Sequence, residues 1–403
     1  MNLLNPTNVW QANNLPNGIN FSDGVISGTP TTAGTFTVPV TVTNDLGSST
    51  KNITIITRNR PGTEKFSILQ NGVQVAQLTI PELRAMVQDG TAQNTFNCTN
   101  TQIILPLYTP ALTANGSTRA ATTDEIAVNF CDFRNVTLED GSIKQGLILQ
   151  FDCTLWPFFA PFDTGDGSAS IPINRWYYSN LRQWLNSSGA NWFSPAYTGD
   201  TLTPNSNGYS SYADSGIHGF LDFLHEDLAS ALTPIKIQTQ AYYDAEDETF
   251  TAEPDYINGH DVDVTYDKVF VPSPEEMYMY VPYSSYADNP FSGLPTRGIE
   301  GSAWAYWIAK FGTAEPIHPV YEGGMSSIYG TALITNWGKS LADVSGFGLS
   351  YSTDQNIGFR SAKNDSINKI WYSYIETAFD LNDLAIDQSY ALSLRFAPAF
   401  VLC

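Results

Sequence analysis

The sequence predicts an all-β sandwich over residues 1–60, followed by a mixed α+β domain over residues 61–403 that includes a β-rich subregion at 64–155. Three observations support this division: strict apolar–polar alternation in the first part, a Pro-Gly break at residues 61–62, and capped helical segments further along. At 403 residues the chain is long enough for two or three domains with a substantial core.

The alternation of the first part has the two-residue period of a half-buried strand. Apolar residues at 36, 38, 40 and 42 are separated by Thr37, Pro39 and Thr41, and Ile53 and Ile55 alternate with polar residues after a turn near Gly47. Such strands bury one face, so we expect them to pack as the layers of a sandwich.

The second part contains four predicted helices. Thr79 and Glu82 form a capping box for the first, and Ser273 and Glu276 repeat that signature for the fourth. The predicted helices begin near residues 79, 173, 219 and 273, and Gly90, Gly189 and Pro234 end the first three.

A run of Gly, Pro and Thr residues links the first part to a known family. Leu15-Pro16-Asn17-Gly18-Ile19 is followed by Gly24-Val25-Ile26-Ser27-Gly28-Thr29-Pro30-Thr31-Thr32-Ala33-Gly34-Thr35 and then by an alternating strand. This order resembles the bacterial immunoglobulin-like (Ig-like) modules of bacterial and phage surface proteins, over residues 3–58. The resemblance implies a module that spaces and presents other domains.

Three blocks in the second part carry another resemblance. They read Arg182-Gln183-Trp184-Leu185-Asn186-Ser187, then Asp267-Lys268-Val269-Phe270-Val271-Pro272-Ser273-Pro274-Glu275-Glu276-Met277, and finally Arg395-Phe396-Ala397-Pro398-Ala399-Phe400-Val401-Leu402. Together they are similar to an uncharacterised C-type-lectin-like domain of phages and prophages of gut bacteria, over residues 64–403. The chain departs from that family at Gly358-Phe359-Arg360-Ser361-Ala362, where the family has Trp before Leu-Arg-Ser, so no ligand site is transferred.

Charge limits the partners. The chain holds 19 Lys and Arg against 40 Asp and Glu, a net charge of −21, which predicts repulsion from nucleic acid and anionic membranes. The first residues have neither a basic start nor a long apolar run, and no stretch has the length of a transmembrane helix, so we expect neither a signal peptide nor a membrane span. A virion component assembled in the host cytoplasm would fit this combination.

The residues that commonly carry catalysis or bind metals form no recognisable set. His218 and His225 are seven residues apart on a predicted helix, whereas helical ligand pairs favour a spacing of three or four, so we expect structural histidines. The four cysteines have no C-x-x-C spacing, which argues against a zinc site or a disulfide framework. Hydrolase and phosphate-loop motifs are absent from the sequence, so we expect no enzyme.

Two runs of acidic residues offer ligands for one cofactor, calcium. The runs at 244–248 and 255–267 have hard oxygen ligands that could hold Ca²⁺. Because they lack EF-hand spacing and the Glu-Pro-Asn and Trp-Asn-Asp tripeptides of calcium-dependent lectins, we favour solvated acidic loops and no cofactor.

Aromatic residues gather between positions 304 and 372 among Asn, Ser and Thr, a composition that suits a sugar or protein receptor site. The candidate ligand-binding residues are Trp337, Tyr351, Asn356, Asn364, Asn368 and Tyr372. The alternative is that Trp304, Trp307 and Trp371 belong to the core, since large aromatic side chains are mostly buried.

Taken with the two resemblances, these features predict a virion surface protein of a bacteriophage. It would be a head fibre or a tail receptor-binding protein, a homotrimer if a fibre, that binds other virion proteins and attaches to a host cell-surface polysaccharide. The alternative is a decoration protein that stabilises the capsid or tail without binding a receptor. A third alternative is a glycan-degrading enzyme. It would need two carboxylates about 5–10 Å apart in a cleft, a distance that the sequence does not specify.

Overall fold

The computed structural model divides the chain into two compact units, residues 1–64 and residues 65–403. The residues that the structure describes are 8–31, 34–57, 61–109, 112–114, 117–119, 121–152, 175–189, 192, 218–240, 255–257, 260–277, 300–311, 356–362, 369–375, 379–385, 394–395 and 397–403.

The smaller unit contains two antiparallel sheets. Its strands are β1 (Val9–Ala12), β2 (Ile19–Ser22), β3 (Val25–Gly28), β4 (Gly34–Asn44) and β5 (Gly47–Thr57). One sheet has the order β1-β4-β5, and β2 pairs with β3 in the other. The predicted alternation on β4 is confirmed for its first part, because Val38 is fully buried while Thr35 and Thr37 are exposed, whereas residues 39–42 are all half-buried.

Two glycines of the Gly/Pro/Thr run are required by a close approach of the backbone. Gly18 and Gly28 have φ of 85° and 111°, in the region that favours glycine. A Cβ on Gly18 would lie 2.1 Å from the carbonyl oxygen of Thr29, and a Cβ on Gly28 would lie 2.3 Å from that of Gly18. Glycine is therefore required at both positions, because the backbone segments at the two ends of the β2–β3 hairpin approach too closely for a side chain.

The larger unit is mostly β-sheet. Its described strands are β6 (Phe66–Gln70), β7 (Val73–Leu78), β8 (Thr101–Thr109), β9 (Leu112–Ala114), β10 (Ser117–Arg119), β11 (Thr122–Thr137), β12 (Ile143–Phe151), β13 (Ile235–Gln240), β14 (Asp255–Ile257), β15 (His260–Asp267), β16 (Val269–Phe270), β17 (Asn356–Ala362), β18 (Lys369–Ile375), β19 (Phe379–Ala385), β20 (Leu394–Arg395) and β21 (Ala399–Leu402).

A seven-stranded antiparallel sheet forms the centre of this unit, in the order β16-β21-β12-β11-β8-β6-β7. The other described sheets are β13-β15-β14, β19-β18-β17-β20 and the hairpin β9–β10. In the large sheet the strand nearest the end of the sequence, β21, lies between β12 and the edge strand β16, so this sheet joins residues more than 240 positions apart.

The described helices are short. They are α1 (Ile80–Gln88), α2 (Thr91–Thr95), α3 (Asn180–Leu185), α4 (Glu226–Ala231) and α5 (Ala305–Phe311), with 3₁₀ turns at Trp176–Tyr178 and Phe220–Phe223. The capping box predicted for α1 is confirmed: Thr79 Oγ1 accepts from the Glu82 backbone N–H at 3.1 Å, and the Glu82 carboxylate accepts from the Thr79 N–H at 2.8 Å.

The second and third predicted helices are wrong as continuous elements. Each is a 3₁₀ turn followed by a short α-helix, because a polar side chain caps the chain midway. Ser179 Oγ accepts from the Arg182 N–H at 3.1 Å and starts α3, and His225 Nδ1 accepts from the Asp227 N–H at 3.2 Å and starts α4.

The fourth predicted helix forms its cap but only a turn among the described residues. The Ser273 backbone N–H donates to the Glu276 carboxylate at 2.9 Å, and Ser273 Oγ accepts from the Glu276 N–H at 3.3 Å. Residues 274–277 then follow as a hydrogen-bonded turn.

The two faces of the large sheet are covered by different segments. On β12, Phe151 packs edge-on against Phe220, whereas its neighbour Gln150 accepts a hydrogen bond from the indole of Trp307. Because successive side chains point to opposite faces of a strand, the segment at 220 lies on one side and α5 on the other. The sheet is therefore buried on both faces where these two residues lie.

Candidate functional site

The six predicted ligand-binding residues are only partly within the described structure. Asn356 lies at the start of β17 and Tyr372 lies on β18. On the paired strands Asn356 is opposite Tyr374, and Tyr372 is opposite Gly358. Tyr372 therefore lies two residues along β18 from the position that faces Asn356. Trp337, Tyr351, Asn364 and Asn368 lie outside the described residues.

The sheet that holds Asn356 and Tyr372 rests against a part of the fold that is fixed by buried charges. Strand β17 lies next to β13 and next to the 3₁₀ turn at Trp176–Tyr178. That turn follows Arg175, whose guanidinium is fully buried. The strands that hold Asn356 and Tyr372 thus lie beside a region of the interior that contains buried charged side chains.

Arg175 forms a buried ion pair with Asp263 of β15. Its Nε lies 3.1 Å from Asp263 Oδ2, its Nη2 contacts Oδ1, and the two side chains are 0% and 1% exposed. Burial raises the pKa of Asp263, and the hydrogen bond and charge of Arg175 partly offset that rise. The guanidinium also lies 5.0 Å from the centroid of the Tyr178 ring.

Asp267 is a second buried carboxylate on the same strand, and it joins three segments. It accepts from Arg182 Nε at 2.6 Å, from the Trp176 indole at 2.9 Å and from the Thr265 hydroxyl at 2.7 Å. The carboxylate is 0% exposed, so its charge is balanced by Arg182 and by directed hydrogen bonds.

Asn186, at the C-terminal end of α3, binds the backbone of residues 268 and 269, which belong to the second of the three sequence blocks. Its Oδ1 accepts from the backbone N–H groups of Lys268 and Val269 at 2.7 and 3.0 Å, and its Nδ2 donates to the Val269 carbonyl at 2.8 Å. An amide that meets both a donor and an acceptor of one backbone segment fixes its position closely.

These contacts assign a structural role to the sequence blocks around Arg182 and Asp267. Their side chains are satisfied by one another in the interior, across more than 80 residues of sequence, and are not turned outward to a ligand. They hold α3, β15 and β16 in fixed relation.

The solvated-loop interpretation of residues 255–267 is wrong. Residues 255–257 and 260–267 are the strands β14 and β15, and Asp263 and Asp267 are buried. The inward face of β15 is polar because Arg175, Trp176 and Arg182 supply partners for its carboxylates. The run at 244–248 lies outside the described residues.

The prediction that His218 and His225 lie on one helix is also wrong. His218 precedes the 3₁₀ turn and its ring contacts the Asp222 carboxylate, whereas His225 is the N-cap of α4. His225 is buried, with its ring edge-on to Phe66 at 5.0 Å between centroids. The two imidazoles thus belong to separate local structures.

Polar side chains on the face of the large sheet that α5 covers hold this helix and the residues before it in place. Gln150, fully buried, accepts from Trp307 Nε1 at 3.0 Å and donates to the Ala397 carbonyl at 3.3 Å. Arg134 donates to the carbonyl oxygens of Ser302 and Ala303, each at 3.1 Å. Trp304 and Trp307 are 0% and 1% exposed, which confirms the core alternative for these two tryptophans.

Three of the four cysteines are described, and all three are buried free thiols. Burial raises the pKa of Cys98 to about 12, and burial also raises the pKa of Cys131 and Cys403. Cys153 lies outside the described residues. Thiols of this kind are weak nucleophiles, because the thiolate is the reactive form.

We therefore expect Cys98 to resist alkylation in the folded protein. At pH 8 a thiol with a pKa near 12 is ionised in roughly one molecule in 10⁴. Iodoacetamide at pH 8, followed by peptide mass mapping, should leave Cys98 unmodified in buffer and label it in 6 M urea. Equal labelling under both conditions would contradict the burial of this thiol.

Within the ranges described, no three His, Cys, Asp or Glu residues are grouped so that they could hold a metal ion. No helix there combines the length and the apolar composition that crossing a membrane requires.

The two sheets and the tight glycine crossings of the smaller unit define an Ig-like β module. Residues 5–59 match the family model described as "Putative Ig domain". No curated protein matches the chain, and no solved structure matches it. The match to the family model supports an Ig-like module at residues 5–59.

Proposed function

We propose that this chain is a surface protein of a phage particle, a head fibre or a tail receptor-binding protein, that attaches to glycans on the host cell. The observation that carries the proposal is an Ig-like module at residues 5–59 joined to a separate, larger unit. The module would space and present the larger unit, which we take to be a lectin-like binding domain.

The buried network of the larger unit supports a binding role for its surface. Arg175, Arg182 and Asn186 tie the segment at 175–189 to β15 and β16 with direct contacts. A scaffold held in this way can carry binding residues on its loops and strand ends without depending on them for stability. Asn356 and Tyr372 are carried on a sheet next to this scaffold.

Charge narrows the class of glycan. Residues 1–64 contain three acidic and three basic residues, so the whole net charge of −21 is carried by residues 65–403. An acidic binding unit is repelled by anionic wall polymers and is indifferent to neutral ones. We therefore propose a neutral polysaccharide, bound by aromatic and amide side chains.

Binding of the fluorescently labelled full-length protein to a panel of gut bacterial cells tests this proposal. We expect saturable binding that purified neutral wall polysaccharide competes and that changes little between 50 and 500 mM NaCl. Asn356→Ala and Tyr372→Ala should each weaken it about tenfold or more, as expected for loss of a polar or aromatic contact.

A matched control is Asn135→Ala, which removes an exposed asparagine from β11 in a different sheet and should bind like the wild type. If no cell in the panel binds while the protein is taken up tightly by particles that lack it, the glycan proposal fails and a decoration protein is left. Unchanged binding by both Asn356→Ala and Tyr372→Ala would show that β17 and β18 do not carry the binding site.

A further inference from the structure

Trp10 of β1 is 42% exposed, although large aromatic side chains are mostly buried. Its indole is supported by the turn between β2 and β3. A Cβ added to Gly24 would lie 3.6 to 3.8 Å from Cγ, Cδ2 and Cε2, which are bonded atoms of the five-membered ring, so the turn covers one face of the indole. The exposed surface therefore belongs to the other face and to the edge of the ring.

The turn that supports the ring is a tight one. Ser22 pairs with Val25, which leaves Asp23 and Gly24 as a two-residue loop. Their φ angles of 50° and 81° are those of the central residues of a type I′ hairpin turn. A ring that rests on a short, regular turn has a fixed orientation, so a ligand that stacks on it loses less entropy in ordering the site.

Two asparagine side chains lie on the same face of the sheet as Trp10. Trp10 is opposite Val42 of β4, and side chains alternate along a strand, so Asn44 projects from the same face as these two residues. The Asn44 Nδ2 donates to Asn8 Oδ1 at 3.0 Å, which places the Asn8 side chain on that face too. Two residues along a strand span about 7 Å, a distance comparable to one sugar residue.

The polar groups around the ring keep hydrogen-bonding capacity. The Asn44 side chain is oriented, because its Oδ1 accepts from the Leu46 N–H at 2.9 Å while its Nδ2 donates to Asn8. Within the described ranges the Nδ2 of the exposed Asn8 donates to no acceptor. On the supporting turn, the exposed Asp23 carboxylate accepts from the Ser22 hydroxyl at 3.2 Å and has further lone pairs.

We propose that Asn8, Trp10, Asp23 and Asn44 form a saccharide-binding site on the Ig-like module. An aromatic face stacks on the C–H face of a pyranose ring, and amide and carboxylate groups bind the hydroxyl groups around it. Sugars whose hydroxyl groups are equatorial present the flattest C–H face, so the site suits gluco-configured chains. The Asp23 carboxylate disfavours sugars that carry carboxylate or phosphate groups.

This site is separate from the one proposed on β17 and β18 and does not depend on it. The family resemblance assigns the module a spacing role, and a saccharide site would make the module a second point of attachment. A single stacked ring binds weakly, and many copies on one particle multiply such contacts.

Fluorine NMR of the full-length protein labelled with 5-fluorotryptophan tests the site. The chain has nine tryptophans, and the Trp10 signal is the one missing from the spectrum of Trp10→Phe. Titration with cellohexaose and, separately, with chitohexaose should shift this signal saturably, with a dissociation constant on the order of 1 mM.

Asn8→Ala should raise that dissociation constant about fivefold, as expected for loss of one hydrogen bond to the ligand. The matched control is Val9→Ala, at a residue that is 55% exposed on the opposite face of β1, and it should titrate like the wild type. Tyr372→Ala should also leave the Trp10 titration unchanged, so failure of this site and failure of the β17–β18 site are told apart.

A Trp10 signal that neither oligosaccharide moves would overturn the proposal and would leave contact with a protein as the role of the exposed ring. Equal titration by Asn8→Ala and the wild type would overturn it as well. Both substituted residues are exposed, so near-UV circular dichroism should show Asn8→Ala and Val9→Ala folded like the wild type.

Discussion

Asp263→Asn should lower the free energy of unfolding of the larger unit by about 3–5 kcal/mol, because it leaves a buried guanidinium without its carboxylate. The Arg175 side chain is 0% exposed, so water cannot replace the lost charge without opening the structure. Urea denaturation followed by far-UV circular dichroism would measure the change as a lower midpoint at an unaltered slope.

Two further variants test whether the loss of stability comes from the buried pair or from any change of charge on this sheet. Asp255→Asn changes an exposed aspartate on β14 of the same sheet and should alter stability by less than about 0.5 kcal/mol. Arg175→Met combined with Asp263→Leu removes both charges and should recover much of the loss, as replacement of buried pairs by apolar residues often does. A small effect of Asp263→Asn alone would mean that Arg175 finds other partners.

The features that sequence predicted well are local ones. The capping box of Thr79 and Glu82 depends on residues three apart, and it forms at the predicted place. The alternation on β4 likewise depends on neighbouring residues alone. Such signals need no knowledge of the rest of the fold.

The inward face of β15 could not be predicted in this way. Sequence alternation there places Val262, Val264 and Tyr266 on one face and Asp263, Thr265 and Asp267 on the other. All three polar residues are buried, whereas of the other three only Val262 is. The reason lies 85 to 91 positions earlier in the chain, in the side chains of Arg175, Trp176 and Arg182. A polar strand face is buried only when such distant partners exist, and no local pattern reports them.

The candidate site was predicted from composition, which places residues less precisely than periodicity does. Asn356 and Tyr372 do come together on neighbouring strands, although 16 positions separate them. The antiparallel pairing of two short strands accounts for that proximity, and neither strand was predicted, because Asn, Gly and Ser interrupt their alternation. The ligand-binding role of all six residues stays a prediction.

Deleting Ala399–Cys403 should unfold the larger unit altogether. The deletion removes β21 from between β12 and β16, together with Phe400, Val401 and Leu402, each no more than 1% exposed. It also removes the Cys403 carbonyl that accepts from Arg84 Nε. Loss of one large buried side chain costs about 2–5 kcal/mol, so the loss of three is comparable to the roughly 5–15 kcal/mol by which a domain is stable, and the lost strand pairing adds to it.

Limited proteolysis and near-UV circular dichroism would measure this result, with single variants on the same sheet as calibration. Phe400→Ala should cost about 3–5 kcal/mol, whereas Val73→Ala, at a residue 65% exposed on the edge strand β7, should cost less than about 0.5 kcal/mol. Because residues 1–64 form a separate compact unit, a protease-resistant fragment of that unit should survive the deletion. A deleted chain that keeps its near-UV signal would show that the large sheet does not need β21 between β12 and β16, which would contradict this prediction.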